Sequence, residues 1–280
     1  MIEGDLPPSD DMVAHVWRTS ESTWTAPATL IPLIPEGRRE PLFCVHLGNG
    51  HVRFFGRIAE SLRAGRPVHG FEAIGYRTRV RPPVSIAEIA ERYVRELRAA
   101  QPHGPYHLAG LCTGAVIAYE MAQRLRAQGA EVAVLALADP PSGMPEYDPS
   151  WGMNDLYEFR LGWLRTTWGL EDPVADLPRV LDEMKTRVTL YEPEVRPEDF
   201  YRLQVLWAAT VFAQEHYEPR PYDGPVHIFA KTRDDYRVRD YWLPLLRDPA
   251  LCLIDAETTR ELLHHPLLAR TLGRALGHEA

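Results

Sequence analysis

The stretch of this 280-residue chain whose residue types and spacing point most directly to chemistry is Gly110-Leu111-Cys112-Thr113-Gly114. An apolar run, Tyr106 to Ala109, precedes it, and a helix-forming segment, Ala115 to Gln128, follows it. Strand, turn and helix with glycines two residues either side of a nucleophilic side chain form a nucleophile elbow, here with cysteine where serine is usual. The glycines permit a sharp turn, and the central side chain is left at a helix N-terminus, where a thiolate is stabilised. The other reading of Cys112 is a small buried residue in a tight βα turn.

The whole-chain arithmetic narrows what such a cysteine would serve. Lys and Arg number 31 against 39 Asp and Glu, a formal charge of −8, which disfavours a nucleic-acid binder held by bulk electrostatics. A hydrophobic fraction of 45% places the chain among ordinary globular proteins. The cysteines Cys44, Cys112 and Cys252 are odd in number and too widely spaced for a zinc knuckle or a CxxC motif, so a reduced, cytoplasmic setting is expected. No apolar run approaches the length of a membrane span, and the acidic start is unlike a secretory signal. Met1 and that short acidic start favour a free-standing protein.

Elements able to position the elbow alternate along the chain. Residues 1–40, broken by Pro7, Pro8, Pro27, Pro32 and Pro35, read as an irregular lead-in. The domain proper then runs 41–280. Strands are expected at 41–46, 68–71, 106–109, 132–137, 226–230 and 251–254, and helices at 52–62, from Ile86 onward, at 115–128 and at 261–276. Ser85-Ile-Ala-Glu88 reads as a capping box opening a helix with one apolar stripe of Ile86, Ile89, Tyr93, Val94 and Leu97. Strands alternating with helices imply a mainly parallel sheet. From about 140 to 224 the strand signal gives way to aromatic-rich helical segments, an inserted lid.

In four blocks across roughly 41–276 the chain resembles the thioesterases of nonribosomal peptide and polyketide assembly lines. The blocks are Pro41 to His46 with its glycine loop, Gly104 to Gly114, Ala118 to Leu125 leading into Val132 to Asp139, and Tyr222 to Ala230. The resemblance implies an α/β-hydrolase fold with a helical lid. It makes Asp139, after the strand that follows the nucleophile helix, the candidate orienting acid, with Asp234 and Asp235 as runners-up. An oxyanion hole needs two amides aimed at the developing negative oxygen, and those of Thr113 and Gly48 occupy the corresponding positions.

At the base the chain departs from the family pattern. The family histidine stands seven residues before a proline, and counting back from Pro266 gives Thr259. A threonine cannot take up the nucleophile's proton and return it. His264 or His265 from the next helical turn, or His46 or His51 from the glycine loop, are the candidate substitutes. Otherwise no histidine serves, and Cys112 works with its own thiolate character.

The expectation is an enzyme that takes an acyl or aminoacyl group from a carrier protein onto Cys112. It would pass the group to a thiol, an amine or an internal nucleophile rather than mainly to water. No cofactor is expected beyond the phosphopantetheine arm bearing the substrate, and Arg53, Arg57 and Arg233 are the basic groups proposed for its phosphate. The alternatives are a hydrolytic thioesterase with a relocated histidine and a degenerate fold that binds a carrier or acyl chain.

Overall fold

The computed structural model describes residues 12–20, 28–62, 65–141, 147–172, 175–187, 190–234, 236 and 238–277. Its centre is a seven-stranded sheet: β1 (Leu30–Ile34), β2 (Leu42–Val45), β3 (Val68–Phe71), β4 (Tyr106–Leu111), β5 (Val132–Ala138), β6 (His227–Lys231) and β7 (Ala250–Ile254), in the order β1-β3-β2-β4-β5-β6-β7. β1 is antiparallel to β3, and every other pairing is parallel. The central strands β2 and β4 are buried along their whole length, as near-continuous apolar runs covered on both faces must be.

Helices α2 (Gly56–Leu62), α3 (Ile86–Ala100), α4 (Thr113–Ala127), α8 (Thr259–His264) and α9 (Pro266–Ala275) flank the sheet. The lid supplies α5 (Met153–Trp168), α6 (Leu177–Thr186) and α7 (Pro197–Glu215). Sheet, flanking helices and lid together make an α/β-hydrolase fold, as the resemblance implied, and the sheet is mainly parallel, as the alternation of elements implied.

The expected irregular lead-in is partly regular. Helix α1 (Met12–Thr19) buries Met12, Val13 and Val16 in the lid's own core beside Leu156, Val180 and Phe200. β1 adds an edge strand. Pro32 lies inside it at a register shift, which an edge position tolerates because a proline there deprives no neighbouring strand of a central bond.

Two further expectations are corrected. Ser85 takes an extended N-cap conformation but its hydroxyl makes no cap hydrogen bond, so α3 rests on its stripe, in which Ile86, Ile89, Tyr93, Val94 and Leu97 are all buried. The expected closing helix 261–276 is two helices, because Pro266 lacks an N–H and forces His265 to an extended conformation (φ −71°, ψ 131°).

Candidate active site

Strand register brings the site together. Leu111 on β4 pairs with Ala138 on β5, and Ala138 pairs with Phe229 on β6. The next residues, Cys112 and Asp139, therefore leave adjacent strand ends side by side. The Cys112 N–H donates to the Ala138 carbonyl (2.9 Å) and the Asp139 N–H to that of Phe229 (2.7 Å). Both residues have positive φ, 53° and 44°, a strained conformation for non-glycine residues that concentrates at functional positions.

The elbow exists because its glycines are glycines. A Cβ at Gly110 would sit 2.0 Å from the Gly114 carbonyl oxygen, and one at Gly114 would sit 2.2 Å from that of His46. Backbone on both sides leaves nothing to yield. Gly110→Ala is expected to lower the unfolding free energy by about 3 kcal/mol or more, read by urea denaturation.

One oxygen of the Asp139 carboxylate carries two partners. Its Oδ2 accepts from the Lys231 ammonium (2.8 Å) and from the Thr259 hydroxyl. Thr259 is delivered by the start of α8, where the Thr258 hydroxyl caps the Glu261 N–H (3.1 Å) and Glu261 Oε2 accepts from the Glu257 N–H (2.8 Å). Lys231 also pairs with Asp234 (3.1 Å). Asp235 lies outside the described residues. The carboxylate oxygen Oδ2, on the side from which position 259 approaches, is thus held by a hydroxyl and a cation.

Burial opposes the charge on Lys231, but the bonds and charges of Asp139 and Asp234 outweigh it and raise its pKa above the ordinary 10.5. The stabilisation from a raised lysine pKa is complete below 10.5 and fades only as pH climbs past the folded value, so the pair persists through neutral pH. Its side chains are 11% and 14% exposed. Lys231→Met, which leaves two carboxylates facing each other, is expected to cost about 3–5 kcal/mol, checked by denaturant unfolding at pH 7.

Gly48 and Thr113 adjoin each other. A Cβ at Gly48 would lie 3.7 Å from Thr113 Oγ1, and that hydroxyl donates to Gln214 Oε1 (2.6 Å). Thr113 opens α4, so its N–H has no carbonyl of a preceding helical turn to bond.

Cys112, Asp139, Thr113, Gly48 and Thr259 line one cavity of about 380 Å³, together with Lys231, Asp234, Gln214 and Arg160. Among the described residues that line it there is no histidine. His46 is buried with Nδ1–H donating to the Leu47 carbonyl (2.7 Å) and Nε2 2.8 Å from the Tyr93 hydroxyl, and burial pushes its pKa down to about 4. His51 lies with its Nε2 2.9 Å from the Leu190 carbonyl. His265 caps α9, its Nδ1 accepting from the Leu267 N–H (3.2 Å). His264 ends α8, its pKa lowered by burial and then by Arg57 and Arg260. Neither other cysteine competes with Cys112. Cys44 is fully buried, and burial raises the pKa of both Cys44 and Cys252.

Of the arginines proposed for a carrier's phosphate, Arg233 pairs with Glu257 (2.5 Å) and Arg53 stands 4.0 Å from Glu192. Sequence reasoning missed Lys231 and Arg160. The available signal for Lys231 was its place immediately after the apolar run 226–230, at the same sheet edge as Cys112. Arg160 sits among lid aromatics and carried no comparable signal.

The Thioesterase domain family model matches residues 40–261. The chain belongs to the thioesterase domain family. The thioesterase fold is shared with a four-domain nonribosomal peptide synthetase solved with AMP and glycine, at TM-score 0.70 and 22% identity over 94% of this chain and 21% of that one. It is shared too with the NocB thioesterase domain in covalent complex with a fluorophosphonate nocardicin G analogue, at TM-score 0.64 and 25% identity over 89% and 99% of the two chains. By sequence, malpinin synthetase of Mortierella alpina is 38% identical over 113 residues, 40% of this chain and 2% of that protein. The chain spans a small part of the curated synthetases it matches. Its fold and family are those of enzymes of thioesterase type.

Proposed function

We propose that this thioesterase-family protein accepts an acyl or aminoacyl group from a carrier-bound pantetheine thioester onto Cys112 and passes it to a second thiol, an amine or an internal nucleophile, in natural-product assembly. The observation that carries the reading is the engagement of Asp139 by Lys231 and Thr259, in a cavity whose described lining includes no histidine.

The chemistry follows from what that network withholds. The Cys112 thiolate attacks the thioester carbonyl, and the amides of Gly48 and Thr113 are the donors available to the oxyanion. The pantetheine thiolate leaves and takes a proton from solvent, giving acyl-S-Cys112. Exchange of one thioester for another is close to thermoneutral and asks little of a base, since a thiolate is intrinsically nucleophilic. Water, by contrast, needs its proton removed as it attacks, and general base catalysis of that step is worth about 10²–10⁴ in rate. With no imidazole among the described residues of the lining to supply it, hydrolysis lags and acyl-S-Cys112 persists until a better nucleophile arrives.

The experiment is intact mass over time after mixing the protein with acyl-pantetheine thioesters, with Cys112→Ala as control. A persistent adduct confined to Cys112, discharged by added cysteamine, is expected. Rapid turnover to free acid would identify a hydrolytic thioesterase. Neither adduct nor turnover would identify a carrier- or acyl-binding subunit.

A further inference from the structure

The lid helix α5 brings to the cavity a cation that the acyl-transfer chemistry does not use. Arg160, on lid helix α5, is 7% exposed and lines the same cavity as Cys112. Its guanidinium lies 4.3 Å from the Trp163 ring centroid and 5.0 Å from that of Trp207. Its hydrogen bonds go to neutral amides: Nη2–H donates to Asn49 Oδ1 and Nε–H to Gln204 Oε1, both at 3.2 Å. A guanidinium has five N–H donors, so the Nη1 group and half of Nη2 have no protein acceptor among the described residues.

A buried cation usually faces a carboxylate, because removing a charge from water without a counter-charge is costly. Among the described residues none pairs with Arg160. The carboxylates that line the cavity, Asp139 and Asp234, are bound to Lys231. The two tryptophan faces hold the guanidinium plane through cation–π contact, which fixes its orientation without neutralising it. Asn49, in the glycine loop beside Gly48, ties that orientation to the oxyanion donors.

We propose that Arg160 is a specificity residue that pairs with a carboxylate at the far end of the acyl chain, so that the substrate is a short thioester derived from a dicarboxylic acid. This rests on the acyl-transfer reading of the same cavity. About 380 Å³ is near the small end of ligand cavities, which run from about 300 to 1,000 Å³, so the chain between carbonyl and carboxylate is short. The planar fork of an arginine matches a carboxylate in two parallel hydrogen bonds.

The test compares matched ligands on the same protein. Glutaryl- and pentanoyl-pantetheine have chains of equal length, with and without the terminal carboxylate, and their unreactive amide analogues report binding alone by calorimetry. Wild-type protein is expected to bind the glutaryl amide about 10-fold to 100-fold more tightly than the pentanoyl amide, and to load glutaryl onto Cys112 with a similar preference. Arg160→Met is expected to bring both ratios near one while pentanoyl loading continues, and Arg160→Lys to retain part of the preference.

A wild-type ratio of one, or a ratio unchanged in Arg160→Met, overturns the proposal, and the wild-type ratio does not depend on the folding of any variant. Phosphopantetheine versions of both amides separate the other source of anion. A gain from the phosphate that disappears in Arg160→Met would assign Arg160 to the arm and overturn the proposal as well. A binding ratio that holds while no thioester acylates Cys112 would retain the Arg160 assignment and reject acyl transfer.

Discussion

Cys112→Ser is expected to leave the protein folded and to slow its self-acylation by about 10³-fold or more. An alcohol is a weak nucleophile unless a base takes its proton, and the triad serine works because an imidazole does so. Here the carboxylate that would orient the imidazole is bonded to Lys231 and Thr259, and His46 has both ring nitrogens occupied. A thiol tolerates that arrangement better than an alcohol, because sulfur is intrinsically the stronger nucleophile. The measurement is the rate of intact-mass gain from a fixed concentration of acyl-pantetheine thioester, with unfolding compared in parallel. A serine variant acylating within tenfold of wild type would mean that some other group acts as base, and the account of Asp139 given above would be wrong.

The second large effect runs the other way. Thr259→His combined with Lys231→Met is expected to raise release of free acid from acyl-S-Cys112 by about 10²–10⁴, the usual worth of a positioned general base. The side chain at 259 already meets Asp139 Oδ2, so an imidazole from that position finds an orienting carboxylate in place. Removing Lys231 frees that carboxylate from the ion pair at 2.8 Å. Thr259→His alone should gain less, because the ammonium continues to compete for the same oxygen. The loss of the ion pair makes the double variant less stable, so hydrolysis is best followed at low temperature as single-turnover decay of the preloaded acyl-enzyme. If decay is no faster than in wild type, the missing histidine is not what suppresses hydrolysis.

These outcomes depend on features that were not equally legible. The elbow was readable because it is local: five consecutive residues between a strand pattern and a helix pattern place Cys112, and steric exclusion at Gly110 and Gly114 acts within a few residues and against the neighbouring loop at His46. The parallel sheet was readable for the same reason, since alternating short apolar runs and amphipathic stripes admit few connections. The lead-in was misread where tertiary burial overrode proline content. Met12, Val13 and Val16 form a helix because the lid core receives them, and Leu30–Ile34 forms a strand because β3 offers an open edge.

The sequence by itself placed a cysteine in an elbow at a helix N-terminus, and the family resemblance pointed to Asp139 and to position 259, where a threonine stands. The elbow follows from residue identity and local spacing; the other two follow from the resemblance. The tertiary structure decided what Asp139 does instead, and that could not be read along the chain, because its partners are 92 and 120 residues away. Arg160 reaches Asn49 across 111 residues. Charge pairing depends on distances of a few ångströms between side chains from different elements, and those distances come into being only when β5, β6, α5 and α8 close around one cavity.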